Sequence, residues 1–183
     1  MFPDTFSLPA AADFHVHLRD GPMSAAVTPT IRRGGVSTVY VMPNLTPPLT
    51  TVSAVQAYHA RLAAIDPSVR YLMTLYLHPD VTPQTIREAK ESGVVWGVKS
   101  YPAGVTTNSD AGVLSYEDFY PVFEEMQRLG LVLNLHGECP DDAEKGIDVM
   151  NAERKFLPTL RELHERFPDL KAGFALKMPS APG

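Results

Sequence analysis

His15-Val16-His17 follows Ala10-Ala11-Ala12, at a point where an apolar run should open a β-strand. In a strand, residues i and i+2 share a face, so both imidazoles aim the same way. Two neutral imidazoles converging from one strand supply half the shell of a zinc-type metal. Arg19 continues that face, and its guanidinium is suited to holding an anion beside such a metal. Taken alone, the triplet is equally well explained by two ordinary histidines at a strand end. The rest of the chain has to decide.

Six segments must carry the strands. They are residues 12–18, 37–42, 70–77, 94–99 and 131–136, with a weaker sixth at 170–176. Helical patterns fill the gaps. Thr28-Pro29 offers an N-cap with proline at N1, and Gly34-Gly35 a stop. Residues 51–65 space Val52, Val55, Leu62 and Ile65 as a helix does. Thr82-Pro83 opens a helix that Gly93 closes. Ser115 with Asp118 reads as a capping box before Phe119, Val122, Phe123 and Met126, ended by Gly130. Asn151 starts the last helical region, where Pro158 predicts a kink or restart. Repeated βα units with buried strands imply a parallel sheet, either open and doubly wound or closed as a barrel.

Polar residues then collect at the strand ends. His15, His17 and Arg19 finish the first strand, Asn44 the second, Lys99 the fourth, and His136 with Glu138 the fifth. In parallel α/β proteins ligands gather at that edge, so the clustering favours a metal site. Lys99 follows the buried run Val94-Val95-Trp96-Gly97-Val98. An ammonium repels a dication, but burial favours the neutral amine. A neutral amine reacts with carbon dioxide to give a carbamate whose oxygens can bridge metals. A snorkelling or anion-binding lysine is the plainer alternative. Of the other histidines, His59 and His164 read as solvent-facing on helices, and His78-Pro79-Asp80 as a turn. No partner pattern makes Cys139 a nucleophile.

Composition sets the bounds. The chain has 183 residues, 44% hydrophobic and 20% charged, as in one ordinary globular domain. A net charge of −5 counts against general nucleic-acid binding. The single cysteine forbids an internal disulfide and fits a reducing, cytoplasmic setting. No signal peptide or membrane-spanning apolar run is evident. The 17 prolines are dispersed, with no linker or repeat dividing the chain.

Four motifs in order resemble dihydroorotase of the monofunctional, amidohydrolase-superfamily type. They are His15-Val16-His17-Leu18-Arg19-Asp20-Gly21, Met42-Pro43-Asn44, Lys99-Ser100-Tyr101-Pro102 and Leu135-His136-Gly137-Glu138, with Thr106-Thr107-Asn108-Ser109 as a further match. The resemblance runs from about residue 8 to residue 171. It implies a (β/α)8 TIM-type barrel, here incomplete with five to six βα units, and two zinc ions. His15 and His17 would bind the more buried zinc, His136 the second, and a carbamylated Lys99 would bridge them. Arg19 and Asn44 would hold the substrate carboxylate, and Thr106 and Thr107 would belong to a loop closing over the substrate. The implied reaction is reversible hydrolysis of L-dihydroorotate to N-carbamoyl-L-aspartate in pyrimidine biosynthesis. The partner would be that small molecule, with neither nucleic acid nor membrane involved and a homodimer allowed. Arg19 with Asn44 favours a carboxylate-bearing substrate over that of a hydantoinase-like cyclic amidase.

A full barrel needs ~250 residues. In the family a histidine ends the sixth strand, where Leu176 stands here, and the general acid/base aspartate lies beyond residue 183. The expectation is therefore one partial barrel domain over 1–183 with a divergent tail at 172–183. It would be a truncated chain of low stability and little activity alone, or one that associates with a full-length subunit.

Overall fold

The computed structural model describes residues 7–105, 107–109 and 111–175. Thr106, Leu176 and the tail past residue 175 lie outside the described residues. All six expected strands form: β1 (Ala11–Val16), β2 (Val36–Val41), β3 (Arg70–Tyr76), β4 (Val95–Ser100), β5 (Val132–His136) and β6 (Ala172–Ala175). They make one sheet in the order β1-β2-β3-β4-β5-β6, every pair parallel. A doubly wound sheet reverses its strand order at a switch point. This one never does, so the winding is that of a barrel, and the six strands form a half-barrel. No pairing closes β6 onto β1 among the described residues.

Local chemistry places most of the helices. In α3 (Val52–Ile65) the Thr51 side chain caps the Ala54 N–H. Thr82 and Thr85 cap each other reciprocally at the start of α4 (Pro83–Glu91). Gly130, at φ 69°, ends α5 (Tyr120–Leu129) in the left-handed conformation that glycine adopts without strain.

Three expectations need correction. An additional helix, α1 (Gly21–Val27), starts where Asp20 accepts from the Gly21 N–H; Thr28 ends it instead of opening a helix, and α2 (Thr30–Arg33) begins after Pro29. The Ser115 capping box does not form. Its hydroxyl accepts from the Glu117 N–H, and a 3-10 turn at Glu117–Phe119 separates it from α5. Pro158 does not restart the helix, since α6 (Ala152–Arg166) runs through it. It lies on the solvent side, where water can serve the carbonyl that loses its partner, while Phe156 and Leu163 anchor the opposite face in the core.

The helices cover one face of the sheet. Val55, Tyr58 and Leu62 of α3, Ile86 and Ala89 of α4, and Val122, Phe123 and Met126 of α5 are buried there against Val39, Val41, Met73, Leu75, Val98, Leu133 and Leu135. The other face is concave. It borders an open cavity of about 1070 Å³ lined by residues that include His15, Tyr40, Lys99, Asn134 and Phe174. Among the described residues no helix is long and apolar enough to cross a membrane.

Candidate metal and substrate site

The C-terminal ends of the parallel strands bring the chemistry-bearing residues together. The β1–β2 register slips between Asp13 and Val16, an irregularity of the kind that re-aims side chains beside active sites. The His15 and His17 rings end 5.2 Å apart, centroid to centroid, as the i, i+2 argument requires. Desolvation, then the neighbouring Lys99 charge, then His17 and His136, lowers the His15 pKa to about 4. Desolvation also lowers that of His17. Both shifts favour the neutral ring, the state a metal ligand must have.

Lys99 pairs with Tyr76 of β3 on one side and Asn134 of β5 on the other, so it sits mid-sheet and is fully buried. Its Nζ has no hydrogen-bond partner among the described residues, and lies 4.8 Å from the Tyr101 ring centroid. Desolvation alone lowers its pKa to about 7. The Tyr101 hydroxyl is likewise buried without a hydrogen-bond partner among the described residues. Its ring stacks on Tyr76 at 5.3 Å and meets the His136 ring at 5.8 Å. The Nε2 of His136 lies 2.7 Å from the buried Glu138 carboxylate. A carboxylate accepts, so Nε2 carries the proton and Nδ1 the lone pair.

Asn44 is buried, with Oδ1 2.8 Å from His17 Nδ1. The Thr107 carbonyl accepts from its Nδ2 at 3.0 Å. Arg19 adopts φ 57°, which non-glycine residues avoid unless the surroundings impose it. The Tyr58 hydroxyl donates to the Arg19 carbonyl, and Arg61 pairs with Asp20 at 2.7 Å. Tyr58→Phe keeps the ring and removes that hold. It should lower the unfolding free energy in urea by about 1–2 kcal/mol and speed amide exchange at residues 19–21.

No three His, Cys, Asp or Glu residues gather closely enough to hold a metal among the described residues. The pair His15/His17 therefore needs a donor of another kind. The orphaned amine of Lys99 is where carboxylation would create one, so the residues present fit a carbamate-bridged centre. Sequence reasoning did not single out Tyr58, Tyr101 or Asn108 for the contacts they make here, whereas it placed Glu138 with His136 at the end of the fifth strand. His59, expected in solvent, is half-buried with its ring edge-on to Tyr71 at 6.1 Å. His164 is exposed as expected, and the free thiol of Cys139 is half-buried.

The parallel half-barrel thus holds paired histidines, a buried lysine and a further histidine at the ends of its strands. No family model matches the chain. Known relatives are more specific. A dihydroorotase of Mycosarcoma maydis is 56% identical over 165 residues, covering 90% of this chain and 42% of that protein. One of Saccharomyces cerevisiae is 52% identical over 164 residues, or 87% and 45%. The crystal structure of the Saccharomyces cerevisiae dihydroorotase in complex with 5-fluoroorotic acid superposes with TM-score 0.85 at 51% identity, covering 88% of this chain and 46% of that one. An L-hydantoinase (dihydropyrimidinase) from Arthrobacter aurescens shares the fold, at TM-score 0.66 and 16% identity. By sequence and fold the chain is a homologue of the dihydroorotases, a family of cyclic amide hydrolases. It spans about half the length of the curated relatives it matches.

Proposed function

We propose that the chain carries the metal-binding and carboxylate-binding half of a dihydroorotase site, for zinc-dependent interconversion of L-dihydroorotate and N-carbamoyl-L-aspartate in pyrimidine biosynthesis. The observation that carries this reading is the buried Lys99 amine, without a hydrogen-bond partner among the described residues, on the strand edge shared with His15, His17 and His136. His15 and His17 would hold one zinc, His136 the other, and carboxylated Lys99 both. Bound zinc would supply Lewis acidity toward the cyclic amide and acidify its attacking water.

The chain's own residues do the remainder. Arg19, held in its unusual conformation, presents a guanidinium to the substrate carboxylate. Asn44 keeps one amide hydrogen beyond the one given to Thr107, and that hydrogen would join the clamp. Thr107, with Thr106, belongs to the segment that would cover the substrate and exclude water. The exposed Phe14, Trp96 and Phe174 support a second reading, in which the chain docks on a full-length subunit without turning over substrate itself.

Zinc retained after gel filtration in bicarbonate buffer, and formation of N-carbamoyl-L-aspartate from dihydroorotate, test the proposal together. The native chain should retain zinc and His17→Ala should not. Equal turnover of a cyclic amide lacking the carboxylate would point to a hydantoinase-like enzyme and sink the substrate assignment. Zinc retention without turnover, together with copurification of a full-length subunit, would favour the docking reading.

A further inference from the structure

Asn44 commits three polar groups to two different parts of the molecule. Its Oδ1 faces His17 Nδ1 at 2.8 Å. Its Nδ2 donates to the Thr107 carbonyl, and its own carbonyl accepts from Asn108 Nδ2, both at 3.0 Å. The orientation of an amide is settled by what surrounds it. Were Asn44 turned over, Oδ1 would face the Thr107 carbonyl, two acceptors in contact. The Thr107 carbonyl therefore forces the amide nitrogen toward itself and the amide oxygen toward His17.

An amide oxygen only accepts, so the His17 nitrogen facing it carries the proton. In the neutral ring the lone pair then belongs to Nε2. Asn108 holds the other end in place. It sits at φ 56°, a conformation asparagine tolerates better than most residues, with its carbonyl 3.4 Å from the Tyr76 hydroxyl.

We propose that Asn44 is a positioning residue that fixes His17 as its Nδ1–H tautomer, and that the Thr107–Asn108 segment acts on His17 through it. The tautomer follows from the hydrogen bonds alone. Its consequence, an Nε2 lone pair presented to zinc, rests on the function proposed above. Outer-shell partners of this sort typically change metal affinity 10–100-fold when removed.

Long-range 1H–15N NMR of the histidines in the metal-free chain, with the rings neutral, reads the tautomer directly. Native His17 should show a protonated Nδ1 and an unprotonated Nε2. Asn44→Leu, close in volume but with no acceptor, should move the proton to Nε2 in much of the population and weaken zinc binding by about 10–100-fold. Asn44→Asp keeps an acceptor toward His17 but repels the Thr107 carbonyl, so it should hold the Nδ1–H form with a looser 107–108 segment. A native His17 protonated on Nε2 overturns the proposal, as does an Asn44→Leu chain that is folded and still Nδ1–H. The native spectrum decides even if Asn44→Leu does not fold. The expected tautomers with no zinc binding in any variant would leave this proposal standing and remove the metal reading instead.

Discussion

Lys99→Met should make the metal-free chain more stable at pH 6–7, by an amount on the order of 4 kcal/mol, and flatten its pH dependence. The lysine pKa is about 7 in the fold against an ordinary value of 10.5. Below the folded value both states hold the proton, and the folded state bears the whole cost of a buried ammonium. Between about 7 and 10.5 the unfolded chain keeps a proton that the folded chain releases, so native stability rises with pH. Above that window both states are neutral and the charge penalty is gone. Methionine fills a similar unbranched volume with no charge and no donor to satisfy. The difference between variant and native chain, from urea unfolding in carbon-dioxide-free buffer, should therefore shrink as pH rises from 7 to 10. Parallel stability profiles would show that the amine finds a partner or water in solution. On the proposed function, the same substitution would also remove the group meant to bridge the metals, and zinc retention should fall with it. A stability gain of this size would fit an amine kept in the core to react, a trade of stability for function familiar at active sites.

Lys99 was legible in the sequence because its position is a matter of strand periodicity and sheet direction. A charged residue closing the run Val94-Val95-Trp96-Gly97-Val98, at the exit of a strand, has few other places to go. The same arithmetic found His15, His17, Asn44 and His136, and the βα alternation found all six strands. The contacts that hold these residues follow a different logic. Tyr58 reads from sequence as one more apolar-face residue of a helix, and nothing local reveals that its hydroxyl reaches the Arg19 carbonyl 39 positions away. Asn108 reaches Asn44 across 64 positions. Such bonds depend on the three-dimensional course of loops, which periodicity does not encode. The Ser115 capping box failed for a related reason. A side chain three positions from an acid fits a helix start, but that spacing does not distinguish an α turn from the 3-10 turn that forms at Glu117–Phe119.

Gly97→Ala should be among the most damaging single changes in the chain, although it adds one methyl group. A Cβ at this position of β4 would collide with the Tyr40 hydroxyl and with the Val132 carbonyl oxygen of β5. The first is the end of a side chain, already engaged by Asn134 Nδ2 at 2.8 Å. The second is backbone in the β4–β5 ladder, where Gly97 pairs with Val132 itself, and it cannot retreat without prying the strands apart. Overpacking in a tight core costs about 1–3 kcal/mol and sometimes more; a clash on ladder backbone belongs at the upper end, about 3 kcal/mol. The damage also has a direction. Lys99 follows two residues later on β4 and His136 ends β5, so strain between these strands separates the two residues proposed to share a metal. Gly97→Ala should thus lower the urea midpoint and also weaken zinc retention in whatever fraction stays folded. Adding Tyr40→Phe removes the hydroxyl clash and leaves the carbonyl one. The double variant should recover only a minor part of the lost stability. Full recovery would place the obstruction in the side chain, and a single variant within about 1 kcal/mol of native would mean that β4 and β5 have more freedom than their pairing implies.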